Sequence, residues 1–445
     1  MKLVHGRVTQ GSHTRMNRAS SEKLVRVKIG EGMGVLDFKA SAPFKITNAK
    51  DETIIKECVA KNSWRIKVEE NTQKPIFEIF DAQYRQSAKI EQELIIQPID
   101  ENVTFTLFDL IIGEGFHWEH RSKKQFTGTI RFVINDKRNI DAVIVLSLEE
   151  YLKGVVPAEM GYHYPLEALK AQAVVSRTWT LKHMQDQHAE SYYDVCSDRH
   201  CQLFHPQSTT EKGPLLAIEQ TKAEVITCQN RLAPTYFHSL CGGHTEEAIC
   251  DETDMQSLNQ GVYDSDQDPT QKLNLTQEID VEKWVKESPK VYCNLHKVIG
   301  HQKLDAAKRY FRWEIIYTRR ELEEIIESNL KKDIGVLYGI LISERGASGR
   351  INEIELLCSH DNYKINGELK IRQTLSEKAL NSSCFIVQTE MDHDGIPISF
   401  TLIGAGSGHG KGLCQTGAAV MATQNKTYKN IITHYFPNTK IEQYT

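Results

Sequence analysis

Hydrophobic and polar residues alternate with a period of two in the amino-terminal third of the chain. After a basic and polar stretch at residues 1–22, which we expect to be disordered, short runs such as LVRVKI, VLDFKA, WRIKVEE and PIFEIF are separated by turn residues. Such alternation is typical of strands with one buried face. The pattern therefore predicts a β-rich region over residues 23–146.

The period changes to that of a helix between residues 147 and 184. Ser147 precedes an apolar series at helical spacing and is followed three residues later by a glutamate, which is the pattern of a capping box. Pro157 cannot continue a helix, so we expect the first helix to end there and Glu159 to lie on a short loop. Pro165 suits the first turn of a second helix.

The rest of the chain mixes both periods. Residues 147–249 are expected to form a helical core, and residues 250–310, which are polar and carry an acidic run, a surface insertion. Residues 311–445 read as strands and helices that close with a strand, a glycine-rich loop and a helix from about Cys414. We predict an α+β protein whose β-rich amino-terminal region precedes a helical centre, with the glycine-rich strand–loop–helix at the carboxy terminus.

Composition excludes several classes of protein. The 445 residues suffice for two or three domains, and a net charge of −5 gives no bulk attraction to nucleic acid. No run approaches the roughly 18 apolar residues of a transmembrane segment. The amino terminus lacks the apolar core of a secretory signal, so we expect either a cytoplasmic protein or a chain that begins after a leader. The 10 cysteines are scattered, which favours reduced thiols over a disulfide framework.

Three motifs resemble those of the sporulation stage II protein D family, also called SpoIID/LytB. The first is YLKGVVPAEM followed by EALKAQAVVSRTWTL, the second is Y-F-H-S-x-x-G-G-x-T at 236–245, and the third is G-H-G-x-G-x-x-Q-x-G-A in the glycine-rich loop. They occur in the family's order, and the resemblance covers residues 24 to 437. Members of that family are lytic transglycosylases of bacterial cell-wall glycan, or relatives that assist cell-wall amidases.

The resemblance implies that Glu159, the glutamate of P-x-E-M, is the catalytic residue of the helical centre. It would protonate the glycosidic oxygen and then take the proton of the C6 hydroxyl of N-acetylmuramic acid, which leaves a 1,6-anhydro sugar. Such a reaction requires one carboxylate and no metal, whereas ordinary glycoside hydrolases use two carboxylates. The sequence shows no second carboxylate clearly paired with Glu159.

A groove for the glycan is expected to combine all three motifs. Arg177 is expected to orient Glu159 or a substrate carboxylate, with a solvent-facing or ion-paired arginine as the alternative. Glycines in the third motif would let backbone amides approach a sugar chain. The expected groove residues are Gln172, Ser176, Arg177, Tyr236, His238, Ser239, Gly242, Gly243, Gly408, His409, Gly410 and Gln415.

Cys196, His200 and Cys201 form a C-x3-H-C cluster in a loop. Thiolates with imidazole suit tetrahedral zinc, and some relatives in the family resemble zinc binders at this loop. His188 is the expected fourth ligand and His205 the alternative. The role would be structural; the other interpretation is a pair of partly buried cysteines beside a surface histidine.

The leading functional hypothesis is cleavage of the β-1,4 bond between N-acetylmuramic acid and N-acetylglucosamine in peptidoglycan glycan strands. A second hypothesis is a non-catalytic, wall-binding protein that enhances an amidase. A third is a cytoplasmic enzyme acting on recycled muropeptides, which the absent signal and the numerous cysteines favour. The family resemblance implies a location in the cell envelope.

Overall fold

The computed structural model describes most of the chain from residue 23 onward. The described residues are 23–50, 52–58, 62–69, 74–100, 103–112, 120–186, 188–198, 200–206, 212–251, 256–259, 261–267, 273–297 and 302–444. The expected disorder of residues 1–22 concerns residues outside these ranges.

Strands with one buried face fill the amino-terminal region, as the period of two predicts. They are β1 (Leu24–Met33), β2 (Val35–Ala40), β3 (Phe44–Asn48), β4 (Thr53–Cys58), β5 (Ser63–Val68), β6 (Ile76–Phe80), β7 (Gln86–Glu91), β8 (Glu93–Pro98), β9 (Thr104–Ile112), β10 (His120–Thr127), β11 (Thr129–Ile134) and β12 (Ile140–Ser147). One sheet has the order β1-β12-β11-β8-β3-β4 and the other β10-β9-β2-β5-β6-β7. Their buried faces share one core, in which Phe44 meets Trp64 and Phe105 edge to face.

Two helices follow the strands: α1 (Leu148–Met160) and α2 (Leu166–Asp186). The Ser147 side chain caps α1 by accepting the N–H of Glu150, as the sequence indicated. The predicted end of α1 at Pro157 is wrong, because the helix continues to Met160. A proline removes only its own N–H bond, and burial of Met160 holds the final turn in place. Glu159 therefore lies on the last turn of a helix and not on a loop.

The remaining elements build three smaller sheets with helices packed around them. The elements up to the middle of this part are β13 (Val195–Cys196), α3 (Lys212–Gln220), β14 (Glu224–Cys228), β15 (Arg231–Leu232), β16 (Phe237–His238), β17 (Ala248–Asp251), β18 (Gln256–Asn259), α4 (Glu278–Lys286), a 3-10 turn (Gln302–Ala307), α5 (Lys308–Phe311), β19 (Arg312–Thr318) and α6 (Arg319–Leu330). The later ones are β20 (Leu337–Arg345), β21 (Ile351–Cys358), β22 (Tyr363–Asn366), α7 (Glu368–Thr374), β23 (Phe385–Met391), β24 (Pro397–Ala405), β25 (Leu413–Cys414), α8 (Gln415–Thr423), α9 (Tyr428–Tyr435) and β26 (Lys440–Gln443). The three sheets have the orders β15-β14-β26, β19-β24-β23 and β20-β21-β22.

These elements confirm the α+β class and the β-rich amino-terminal region. In the described part of the chain, three short pairings supplement the sheets: β16 runs parallel to β25, β17 pairs with β18, and β13 joins the edge of the first sheet beside β1. None of the helices in the described ranges combines the length and the apolar character that crossing a membrane requires.

The expected surface insertion at residues 250–310 is instead packed into the protein in part. On α4, Val281, Trp284 and Val285 are buried at helical spacing and form a small core with β23. Further along, Tyr292 and Cys293 are buried in the same core as α2 and α8. The high polarity of the segment hid these few apolar positions, which pack against the rest of the protein; that the segment is an insertion stays a prediction.

An ion pair inside the protein fixes α1 against α2. The Arg177 guanidinium donates to both carboxylate oxygens of Glu149, at 2.8 and 2.7 Å, and its side chain is 1% exposed. It also donates to the backbone carbonyls of Glu224 at 3.2 Å and Ile218 at 3.5 Å. Arg177 thus joins both helices to α3 and β14.

A glycine in α1 lets a loop lie directly on the helix. Gly154 accepts the N–H of His205 at 3.2 Å. A Cβ added at Gly154 would lie 2.4 Å from the Phe204 ring and 2.6 Å from the His205 carbonyl oxygen. The absence of a side chain at this position therefore sets how closely residues 203–205 approach α1.

Replacing Arg177 with Met should strongly destabilise the fold. The substitution leaves the Glu149 carboxylate without its partner, and breaking a buried ion pair in this way costs about 3–5 kcal/mol. The matched control is Arg320→Met, because Arg320 and its partner Glu324 are 86% and 67% exposed; its effect should stay below about 0.5 kcal/mol. Urea unfolding measures both, and equal midpoints for the two variants would contradict the assignment.

Gly154→Ala should destabilise the protein, although the same change inside a solvent-facing helix stabilises by up to about 1 kcal/mol. The added methyl group overlaps Phe204 and His205, which should cost about 1–3 kcal/mol. Gly213→Ala in α3 is the control, since its nearest atom would be the Leu169 Cδ1 at 3.4 Å. Thermal unfolding should rank Gly154→Ala below the wild type and Gly213→Ala at or above it; the reverse order would rule out the overlap.

Candidate functional site

Glu159 is a half-buried carboxylate on the last turn of α1. Its Oε1 accepts the backbone N–H of Leu203 at 2.7 Å. The helix holds the backbone of Glu159 and the loop holds its carboxylate, so the group has a fixed orientation. A short hydrogen bond from a backbone amide also stabilises the ionised form of a carboxylate.

The loop that contacts Glu159 is itself fixed to both helices. The Phe204 ring stacks on the buried Tyr151 ring of α1, with 5.4 Å between ring centroids. The Gln202 amide donates to the Thr180 hydroxyl of α2 at 2.8 Å, and both side chains are buried. The position of the Leu203 amide is therefore determined by packing against α1 and α2.

A second group of residues joins the second and third motifs to α2. His183 stacks on Trp179 with 4.1 Å between centroids, and Tyr236 stands edge-on to His183 at 5.9 Å. Tyr236 in turn meets His409 at 6.1 Å, and His409 meets His238 at 5.7 Å. The structure thus brings together three predicted groove residues, Tyr236, His238 and His409. That they share one cleft with Glu159 stays a prediction.

The two histidines have different hydrogen-bonding states. His238 Nδ1 lies 3.0 Å from the Lys411 carbonyl oxygen and so carries the proton, which leaves its Nε2 as an acceptor in the neutral ring. His409 Nδ1 accepts the Lys411 N–H at 3.1 Å, so its Nε2 carries the proton. Burial and the nearby charge of Arg350 lower the pKa of His409 well below its ordinary value. His409 therefore offers a donor at Nε2, whereas His238 Nε2 is buried inside the protein.

Arg350, in the S-G-R sequence at residues 348–350, ties the second and third motifs together. It is 1% exposed, and it donates to the Gly408 carbonyl at 3.1 Å and to the Cys241 carbonyl at 3.2 Å. Its third contact is the Ser348 hydroxyl at 2.9 Å, which donates to the Glu246 carboxylate at 2.7 Å. The glycine loop is therefore held by a buried charged network.

Glycines in these motifs lie against protein atoms. Gly410 has a φ of +81°, and a Cβ added at this position would lie 2.4 Å from the Arg350 guanidinium. A Cβ added at Gly242 would lie 2.9 Å from the Gly406 nitrogen, and one added at Gly408 would lie 3.0 Å from the His238 Cβ. A Cβ added at Gly243 would lie 2.8 Å from the Trp284 ring. Close packing between the motifs accounts for these glycines.

Several expected groove residues lie inside the protein. Gln172 and Ser176 on α2 are buried and hydrogen-bonded to each other at 2.9 Å, and Gln415 donates to Gln172 at 3.3 Å. They connect α2 to α8. Arg177 lies in the ion pair with Glu149, which is the ion-paired alternative stated for it. Ser239 is exposed, and its carbonyl accepts the N–H and the hydroxyl of Thr416.

The C-x3-H-C loop gathers four ligand atoms. Those of His188, Cys196, His200 and Cys201 all lie within 4.8 Å of one another. Cys201 Sγ is 3.3 Å from His188 Nε2 and 3.6 Å from His200 Nδ1, close to the roughly 3.6 Å that separates nitrogen and sulfur ligands around tetrahedral zinc. The group contains His188, the expected fourth ligand. The alternative, His205, does not belong to this group; its backbone N–H donates to the Gly154 carbonyl of α1.

Electrostatics favours a thiolate in this group. Hydrogen bonding to Cys201 and to His200 lowers the pKa of Cys196, and the Cys196 charge raises the pKa of His200. The loop is also anchored, because β13 pairs with β1 and Asp194 accepts the N–H and the guanidinium of Arg26 at 2.7 Å. The residues present fit a structural zinc site.

Sequence reasoning missed four residues that organise the site. Trp179 and His183 lie one turn apart on α2, a spacing that was available in the sequence. Glu246 gave no local signal, because what makes it important is its hydrogen bond with Ser348, 102 residues later, which links it to Arg350. The S-G-R sequence that contains Arg350 resembles the family, but it did not indicate what Arg350 contacts.

Comparison with known proteins agrees with the motifs. A family model described as "Stage II sporulation protein" matches residues 136–228, and one described as "Domain of unknown function (DUF8618)" matches residues 251–412. An uncharacterised protein of Brachyspira hyodysenteriae is 28% identical over 321 residues, which are 72% of this chain and 73% of that protein.

Two relatives from Bacillus subtilis are named for a role. Its stage II sporulation protein D is 25% identical over 313 residues, 67% of this chain and 75% of the relative. Its amidase enhancer is 25% identical over 328 residues, 72% of this chain but only 44% of that longer protein. The family match over α1 and α2, together with relatives that share most of the length of the chain, supports its assignment to the SpoIID family.

Proposed function

We propose that the protein is a lytic transglycosylase that cleaves the bond between N-acetylmuramic acid and N-acetylglucosamine in peptidoglycan glycan strands. The observation that carries the proposal is Glu159, a half-buried carboxylate with a fixed orientation, within the region that matches the family. The names of the relatives connect them with sporulation and with an amidase, which supports a role at the cell wall and a location in the cell envelope.

One carboxylate serves both steps of this reaction. The protonated Glu159 donates to the glycosidic oxygen as the bond to the anomeric carbon breaks. The resulting carboxylate then takes the proton of the C6 hydroxyl of N-acetylmuramic acid, whose oxygen attacks the anomeric carbon. The Leu203 N–H bond to Oε1 supports the first step, because it stabilises the carboxylate that proton donation leaves behind. The product is a 1,6-anhydro sugar, and Glu159 regains its proton.

His409 supplies a neutral hydrogen-bonding group suited to a sugar. The protonated Nε2 of His409 donates, and Tyr236 next to it offers an aromatic face. Sugars are bound by such combinations of hydrogen bonds and ring faces. The buried Gln172, Ser176 and Arg177 hold α2 in place and are left out of the proposed glycan contacts.

The second candidate function is enhancement of a cell-wall amidase without catalysis. The similarity to the amidase enhancer of Bacillus subtilis favours it. Under this alternative the amidase is the partner, and the groove binds glycan without cleaving it. The two functions differ in whether they require the proton of Glu159.

Glu159→Gln should lower the rate of glycan cleavage by at least about 10²–10⁴, because Gln keeps the shape but cannot donate the proton. The wild type and the variant are incubated with peptidoglycan and with peptide-stripped glycan, and 1,6-anhydro products are measured by mass spectrometry. Glu150→Gln is the matched control, since Glu150 lies on the same helix with its side chain 48% exposed. Full activity of Glu159→Gln would end the transglycosylase proposal. No anhydro product from the wild type, with amidase stimulation that survives the substitution, would identify the enhancer.

We also propose that the C-x3-H-C loop holds a structural zinc ion through Cys196, His200, Cys201 and His188. Zinc would fix the loop that continues into Leu203 and so would support Glu159 without entering the chemistry. The short sulfur–nitrogen distances and the thiolate character of Cys196 support this assignment.

Cys201→Ser should remove one equivalent of zinc from the purified chain and lower its melting temperature, because zinc bound by the native state contributes to folding. His188→Ala should have the same effect on zinc content, whereas His205→Ala should leave it unchanged. Elemental analysis and thermal unfolding measure the two quantities. An unchanged zinc content in Cys201→Ser would exclude the site. Loss of zinc in His205→Ala, with zinc retained in His188→Ala, would show that His205 and not His188 is the fourth ligand.

A further inference from the structure

A second group of potential ligands lies in the interior, away from the C-x3-H-C loop. Cys241, Asp264, Cys293 and Cys414 place one ligand atom each within 4.8 Å of all the others, and all four residues are buried. They come from four distant segments: the second motif, the turn after β18, the loop after α4, and β25 of the third motif. We refer to these four residues as the interior cluster.

The distances within the interior cluster fit a tetrahedral metal. Cys241 Sγ and Cys293 Sγ are 3.5 Å apart. Two sulfurs bound to one zinc at about 2.3 Å are separated by roughly 3.8 Å in tetrahedral geometry. A disulfide would require a separation of about 2.05 Å. The described cysteines, these three included, are free thiols.

Backbone amides point at the sulfurs. The N–H groups of Cys241 and Gly417 donate to Cys414 Sγ, and that of Gly243 donates to Cys241 Sγ, each at 3.3 Å. Hydrogen bonds of this kind stabilise negative charge on sulfur, which is the form that binds a metal. The position of Cys414 at the start of α8 adds the favourable end of a helix dipole.

Asp264 has a fixed geometry but lacks a charge partner. It is fully buried, and its oxygens accept the Cys293 N–H at 2.8 Å and the Tyr435 hydroxyl at 2.6 Å. Among the residues that the structure describes, Asp264 forms no ion pair. These two hydrogen bonds hold the carboxyl group beside the three sulfurs, and carboxylate oxygen is a ligand type that zinc accepts.

We propose that Cys241, Asp264, Cys293 and Cys414 bind a second zinc ion, which is structural and independent of the one at the C-x3-H-C loop. Three thiolates and one carboxylate complete a closed tetrahedral set of the ligand types zinc accepts. With its four ligands from the protein, the ion has no open position for substrate.

The site would fasten the two motif loops that carry the histidine pair. Cys241 lies three residues after His238, and Cys414 five residues after His409; His238 is also the strand partner of Cys414 in the β16–β25 pairing. Zinc in the interior cluster would therefore hold the two loops at the distance that sets the His238–His409 contact.

The test measures zinc in the whole chain, purified without a polyhistidine tag, after the first site has been removed by Cys196→Ser and Cys201→Ser. This background variant should retain one equivalent of zinc, and adding Cys293→Ser should abolish it. The control adds Cys384→Ser instead, because Cys384 is equally buried but lies outside the cluster; its zinc content should match the background. A folded background variant that holds no zinc, or one that keeps its zinc after Cys293→Ser, would overturn the proposal.

A second measurement covers the case in which Cys293→Ser does not fold. Cobalt(II) is bound to the background variant in place of zinc, and its thiolate-to-metal absorption is recorded. The intensity should correspond to three thiolate ligands, whereas residual binding at the first site would show none. Absence of this band, or a disulfide between two of the three cysteines in protein purified under reducing conditions, would also overturn the proposal.

Discussion

A guanidinium keeps its charge at every pH a protein meets, so an arginine enclosed by protein must find acceptors for its N–H groups. Arg350 finds them in the Gly408 carbonyl, the Cys241 carbonyl and the Ser348 hydroxyl. Because these acceptors belong to three distant segments, satisfying one charge fixes both motif loops relative to each other. The buried carboxylate of Glu246 beyond Ser348 balances that charge. The arrangement of Tyr236, His238 and His409 depends on this network.

The same constraint acts on the other half of the site. Arg177 requires acceptors from α1, α3 and β14, and by obtaining them it fixes the helix that carries Glu159 on its last turn. From the sequence, an arginine one residue after a serine on an apolar helix could equally have faced a substrate. Arg177 forms an ion pair inside the protein because Glu149 of α1 lies opposite it, and that position is set by how the two helices pack.

Local sequence patterns predicted the structural features that depend on residues close together in the chain. The alternation in LVRVKI gave a strand, the Ser147 cap gave the start of α1, and C-x3-H-C with His188 gave a group of four ligand atoms. The effect of Pro157 was mispredicted because the burial of Met160 outweighs the loss of one hydrogen bond. The interior cluster gave no signal at all, since Cys241 and Cys414 are separated by 173 residues and meet only in the folded chain.

The pairing of β14 with β26 has a consequence for the order of events during synthesis. β14 lies in the middle of its sheet, but its partner β26 (Lys440–Gln443) is synthesised more than 200 residues later. β25, the partner of β16, is likewise synthesised long after β16. Closing such long loops is slow, because conformational entropy is lost before the contacts compensate for it. The strands of the two amino-terminal sheets have their partners much earlier in the chain, whereas α2 packs against α8, to which Gln172 and Gln415 connect it. The two amino-terminal sheets can therefore form long before the loops of the third motif exist, whereas the core that holds the Glu159 helix is complete only when α8 and α9 have been made.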